Sequence, residues 1–166
     1  MDKYLLAANQ VVLTKIKGYC CYQPRTHQQV RQKLYGWKLK KNVVETILAS
    51  LIEEGLVNES RFATSYAIER FRINGWGRKK VEHELKKRQI SPYCIRRAMA
   101  HTDPEEYEKE LHNQAEKKWL SLQGKGLHPM MRMKKTANYL IGKGYESGAV
   151  WFLVRDLQNP ENEKDA

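Results

Sequence analysis

The chain has 166 residues, 41% of them hydrophobic, and carries 30 Lys and Arg against 19 Asp and Glu for a net charge of +11. That length supplies one ordinary domain or a short array with a modest core, and it excludes a very large one. No run of about 18 apolar residues occurs, and the opening Met1-Asp2-Lys3-Tyr4-Leu5-Leu6 lacks a basic region followed by a long apolar stretch, so neither a membrane span nor a signal peptide is expected and the expected location is the cytoplasm.

In chain order, the first clear pattern runs from Thr26 to Leu51, with apolar residues at Val30, Leu34, Leu39, Val44, Leu48 and Leu51. Val30 and Leu34 stand i, i+4 apart, and Val44, Leu48 and Leu51 stand at i, i+4, i+7, so each set lines one side of a helix. Leu39 falls between the two stripes and reads as the plug of a short turn. Thr26 with Gln29 predicts a capping box, Gly55 a left-handed helix end, and Asn58 the start of a further helix near Ser60.

The same order returns 51 residues later as Val81, Leu85, Ile90, Ile95 and Met99, and 55 residues after that as Thr136, Leu140, Tyr145, Val150, Val154 and Leu157. Only Thr136 departs from apolar character. Ser91-Pro92 fits the N-cap then N1 preference, Asp103, Pro104 and Glu106 suggest a second capping box, and Ser147 is placed to cap the last helix. Phe62, Tyr66 and Ala67 are spaced to pack a helical core, and no segment alternates as a strand would.

These observations predict an all-α fold of three tandem three-helix repeats at residues 1–58, 59–102 and 103–158, followed by a polar tail at 159–166 expected to be disordered. Units of this kind bury their apolar faces mainly against neighbours, so an elongated, curved array with long exposed faces is expected.

Catalytic constellations are missing. Cys20, Cys21 and Cys94 lack CxxC spacing and a histidine pattern, which argues against a metal site, and their odd count and adjacency argue against a disulfide scaffold. Gly124-Lys125-Gly126 and Gly142-Lys143-Gly144 are too short to cradle phosphates and read as turn or helix-end residues, as do Gly75 and Gly77. His27, His83, His101, His112 and His128 are scattered, while Glu53-Glu54 and Glu105-Glu106 sit at helix ends, the latter pair where the dipole favours carboxylates. The expectation is a protein that is not an enzyme and uses no cofactor.

Charge is unevenly spread: residues 1–57 carry net +5, 58–102 net +7, 103–157 net +1 and 158–166 net −2. Lys38, Lys40 and Lys41 cluster at the first turn. Arg78, Lys79, Lys80, Lys86, Lys87 and Arg88 crowd one helix, followed by Arg96 and Arg97. A single lysine run is usually a solvated face, but this density favours a polyanionic partner, nucleic-acid phosphate or an acidic protein groove, bound more weakly as salt rises. The candidate contacts are Arg72, Arg78, Lys79, Lys80, Lys86, Lys87 and Arg88, with Lys38, Lys40 and Lys41 as a second group. Arg61 and Arg70 either tie repeats together or face the partner. Trp76 serves either the core or an exposed contact.

The segment Asn58-Glu59-Ser60-Arg61-Phe62-Ala63, preceded by Leu56-Val57 and followed by Tyr66, Arg70, Gly75-Trp76-Gly77-Arg78 and the Val81, Leu85 pair, resembles the central repeat of the RecX family of regulatory proteins. The family's paired aspartates are Asn58 and Glu59 here, and a glycine that commonly ends the Leu85 helix is replaced around Arg88-Gln89. The resemblance extends over nearly the whole chain, least well in the third repeat. It implies a regulator that binds the RecA recombinase filament in its helical groove and restrains ATP hydrolysis and strand exchange, by groove occupancy or by blocking extension, with no nucleotide site of its own. An array touching several protomers would gain affinity by multivalency and could act as a monomer. The rival expectation is a non-specific basic helical DNA-binding module contacting single- or double-stranded DNA phosphates; the helix from Arg78 offers Lys and Glu rather than the exposed Arg, Asn and Gln of base readout.

Overall fold

The computed structural model describes residues 3–158; the tail Asn159–Ala166 expected to be disordered lies outside the described residues. Nine α-helices and no strand occur among the described residues: α1 (Lys3–Tyr22), α2 (His27–Gly36), α3 (Lys41–Glu53), α4 (Glu59–Asn74), α5 (Arg78–Lys87), α6 (Pro92–Ala100), α7 (Pro104–Ser121), α8 (Pro129–Gly142) and α9 (Ser147–Asp156). The chain divides into two compact units, one comprising the chain through Ser65 with Lys86–Ala98, the other Tyr66–Leu85 with the chain from Met99 onward.

In the first unit, Val30 and Leu34 of α2 meet Val44, Ile47, Leu48 and Leu51 of α3 and Ile16 and Cys20 of α1 in one buried cluster that Val57 closes. These are the positions the i, i+4, i+7 pattern selects. The N–H of Gln29 donates to Thr26 Oγ1 (3.1 Å) and that of Thr26 to Gln29 Oε1 (3.0 Å), which completes the expected capping box. At the end of α3, Gly55 takes φ +69°, and the N–H groups of Leu56 and Val57 both reach back to the carbonyl of Leu51. Asn58 Oδ1 then accepts from the N–H of Arg61 (2.9 Å) and starts α4.

In the second unit, Tyr107, Leu111, Ala115 and Trp119 of α7 pack with Met133, Ala137 and Leu140 of α8, Val150, Leu153 and Val154 of α9, and Phe71 of α4. Thr136, the one polar member of the repeated pattern, is fully buried because its hydroxyl donates to the carbonyl of Arg132 (3.0 Å). Two capping expectations are corrected here. Asp103 accepts from the N–H groups of Glu105 and Glu106 (2.8 and 3.0 Å), but the Glu106 carboxylate turns to Arg72 instead of completing a box. Ser147 lies inside α9; the N-cap is Glu146, whose carboxylate accepts from the Tyr107 hydroxyl (2.8 Å).

Phe62, Tyr66 and Ala67 are buried, as their spacing predicts. The turn plugs also follow expectation: Ile90 and Tyr145 are buried and Leu39 is half-buried against the first unit's core. The residue before each plug adopts positive φ, namely Lys38 (59°), Gln89 (58°) and Gly144 (94°). A β-carbon in this region is disfavoured by about 1–2 kcal/mol. Gln89→Gly is therefore expected to raise stability by about 0.5 kcal/mol after glycine's greater unfolded-state freedom is counted, which urea unfolding would measure.

Tyr145 carries a different cost. Its hydroxyl is buried with no hydrogen-bond partner among the described residues, and burial pushes the phenol well above its usual range. Removing such an oxygen relieves a desolvation penalty of about 1 kcal/mol or more, so Tyr145→Phe is expected to be neutral or stabilising while Tyr145→Leu, which loses ring contacts with Tyr107, is not. Thermal unfolding of the pair separates the two contributions.

Candidate partner-binding surface

The α3 and α5 helices begin with cations where the backbone dipole presents positive charge. Lys40 is the N-cap of α3 and makes no side-chain cap hydrogen bond; Lys41 follows it, and the first turn holds no acid. The α5 helix begins Arg78-Lys79-Lys80, again with no acid in its first turn. Each such cation costs roughly 0.3–1 kcal/mol against an acid in the same place. Lys40, Lys41 and Lys79 are all exposed.

The rest of the basic set divides by surroundings. Arg78 is half-buried, its guanidinium 4.0 Å from the Tyr107 ring centroid, while its N–H donates to the Tyr107 hydroxyl (3.1 Å). Burial, first of all, pushes that phenol well above its usual range, so Tyr107 stays protonated and donates to Glu146. Lys80 is half-buried, its Nζ 4.5 Å from the Trp76 centroid; on the same ring Arg70 lies 5.5 Å away. Arg70 also donates to Asn74 Oδ1 (3.0 Å) and stands 5.0 Å from the Tyr66 centroid. Trp76 is thus half-buried beneath two cations.

Arg72 is exposed and pairs with Glu106, Nε to Oε1 at 3.2 Å and Nη2 to Oε2 at 3.3 Å. Arg61 is exposed and donates from Nη2 to the Leu56 carbonyl (3.1 Å). Lys86 and Lys87 are exposed in the last turn of α5, where cations suit the dipole, and Arg88 is half-buried. Lys38 is exposed at its positive-φ turn. Of the twelve candidate residues, Arg70, Arg72, Arg78 and Lys80 are held by contacts within the second unit, whereas Lys40, Lys41 and Lys79 sit at helix starts where the dipole disfavours a cation, Lys41 offset by the Glu45 carboxylate one turn on.

One feature of this surface is invisible in sequence. The start of α5 is anchored to the turn after α8: the N–H of Gly77 donates to the Lys143 carbonyl (2.8 Å), the N–H of Lys79 to the Gly144 carbonyl (3.1 Å), and Lys143 Nζ to the Asn74 carbonyl (2.9 Å). The backbones lie so close that a β-carbon on Gly77 would overlap the carbonyl of Gly144 and the nitrogen of Tyr145, and one on Gly144 would overlap Lys80. These two glycines, expected only to permit turns, fix the position from which Lys79 projects.

The matching of residues 58–99 to the family model "RecX, second three-helix domain" places α4–α6 within a known unit. Regulatory protein RecX of Streptomyces coelicolor is 26% identical over 84% of this chain and 73% of its own length; that of Clostridium perfringens is 25% identical over 96% of this chain and 72% of its own. Over most of its length this chain is similar to RecX proteins. A crystal structure of RecX from Lactobacillus salivarius has the same fold, with a TM-score of 0.79, 20% identity, and coverage of 90% of this chain and 96% of that one. These relatives carry the name of regulatory proteins. No helix among the described residues is long and apolar enough to cross a membrane.

Proposed function

We propose that this chain is a RecX-type regulator that binds the RecA–DNA filament and restrains recombinase activity, ATP hydrolysis and strand exchange included, by occupying the filament groove or blocking extension. The observation that carries the reading is the placement of Lys40 and Lys79 at helix starts that favour acids, a cost to folding that a polyanionic partner would repay, with Lys41 beside Lys40. Lys86, Lys87, Arg88, Lys38 and Arg61 are further candidate cations, with DNA phosphates in the filament as further contacts. We also read the helices as three repeats bounded at residues 58 and 102, acting as a monomer in the cytoplasm with no cofactor and no catalytic group.

The reading is tested by titrating the chain into RecA hydrolysing ATP on single-stranded DNA, first at limiting and then at large excess DNA. Inhibition that persists in excess DNA supports a filament regulator. Inhibition that vanishes there identifies a protein that merely sequesters DNA.

A further inference from the structure

A groove of about 670 Å³ lies in the second unit along α7 and α9, and its character is the reverse of the surface described above. The floor is apolar, made by Leu111 and Leu153. The rim carries Glu108, Glu146 and Asp156, and the single Lys or Arg in its lining among the described residues, Arg78, is stacked on Tyr107. Phe152 stands at the rim with 80% of its surface exposed, although α9 otherwise buries its large apolar residues or half-buries them. One turn earlier on the same side, Gly148 has φ in the ordinary range and would meet nothing within 4 Å if it carried a β-carbon. Glycine weakens a helix relative to alanine, and here no neighbour among the described residues needs the space.

We propose that this groove docks a basic, amphipathic helical segment of a protein partner, its apolar side chains seated over Gly148 against Phe152 and Leu153 and its Lys or Arg residues facing Glu108, Glu146 and Asp156. Charge complementarity selects that occupant. A chain of net +11 repels basic peptides at long range, so capture of one requires a local acidic site, and nucleic acid is disfavoured by the same carboxylates. Seating an apolar helix face in a groove by i, i+4 anchors is a recurrent recognition mode, and the bare surface above Gly148 permits close backbone approach. This site is separate from the lysines assigned to the filament and uses no RecA, so either reading can fail without the other.

The test uses the full chain and a dye-labelled designed helical peptide with leucine along one face and lysine along the other, read by fluorescence anisotropy at near-physiological salt. The control peptide has glutamate at every lysine position. Saturable binding of the lysine peptide at one per chain is expected, with none of the glutamate peptide. Gly148→Leu fills the groove in open space and Glu108→Lys reverses an exposed rim charge; each is expected to weaken binding about tenfold or more while helical circular dichroism holds and the thermal midpoint does not fall. Equal binding of the two peptides, or undiminished binding by both variants, would overturn the assignment.

Discussion

Gly77→Ala is expected to destabilise the second unit by about 2–3 kcal/mol, a cost in the range of overpacked interiors, and to lower the thermal midpoint by roughly 5–10 °C for a chain of this size. The reason is the backbone contact between the start of α5 and the turn after α8. A methyl group on Gly77 overlaps the Gly144 carbonyl and the Tyr145 nitrogen, backbone atoms that cannot swing aside. Relief requires separating the segments, which breaks the Gly77-to-Lys143 and Lys79-to-Gly144 hydrogen bonds. Gly144→Ala should cost as much or more, since φ +94° adds strain to the overlap with Lys80. Because the two glycines share one contact, the double variant should fall well short of the sum of the singles. Gly148→Ala is the control: with open space above it, a gain of about 0.5–1 kcal/mol is expected. Differential scanning calorimetry of the set measures all of these, and an unchanged midpoint for Gly77→Ala would contradict the close approach.

Lys79→Glu is expected to move stability and partner binding in opposite directions, and Lys41→Glu to weaken binding while stability holds. Lys79→Glu places an acid in a first turn that has none, so helix stability should rise by about 0.3–1 kcal/mol; at Lys41→Glu that gain is offset by repulsion from Glu45 one turn on. Each also removes an exposed cation from the proposed interface, and affinity for the RecA–DNA filament should fall about tenfold per substitution, with a shallower salt dependence. A merely misfolded variant cannot give that combination. Lys80 is the poorer choice, since it covers Trp76 and its β-carbon packs near Gly144. Urea unfolding beside filament binding reads both quantities, and unchanged affinity in the two folded variants would remove these lysines from the interface.

The helices were legible because burial imposes spacing. Val30 and Leu34, then Val44, Leu48 and Leu51, could be read as two faces before any contact was known, and all are buried. The turns were half legible. Leu39, Ile90 and Tyr145 stood out by position, and Gly144 announces a left-handed residue, but Lys38 and Gln89 adopt the same conformation with side chains that ordinarily avoid it. Tertiary context prevails over residue preference there.

Long-range pairings were not legible. Arg72 looked like a free contact until Glu106, 34 residues away, engaged it in place of a reciprocal cap. Tyr107 gave no sequence cue as the residue that joins Arg78 to Glu146, 39 residues beyond it. The Gly75-Trp76-Gly77 and Gly142-Lys143-Gly144 segments were both noticed, yet only the fold brings one backbone onto the other. Density alone could not sort the basic residues, because the difference between Arg78 over an aromatic ring and Lys79 in solvent is one position of helix rotation.

Recognition of the filament rather than of its DNA is what separates a RecA regulator from a basic DNA-binding module. Labelled protein should be titrated against a preformed RecA filament on single-stranded DNA, and against the same DNA without RecA, at matched near-physiological salt. Preferential binding to the filament is the predicted result. Equal or tighter binding to the naked DNA would contradict it and leave a basic DNA-binding module in its place.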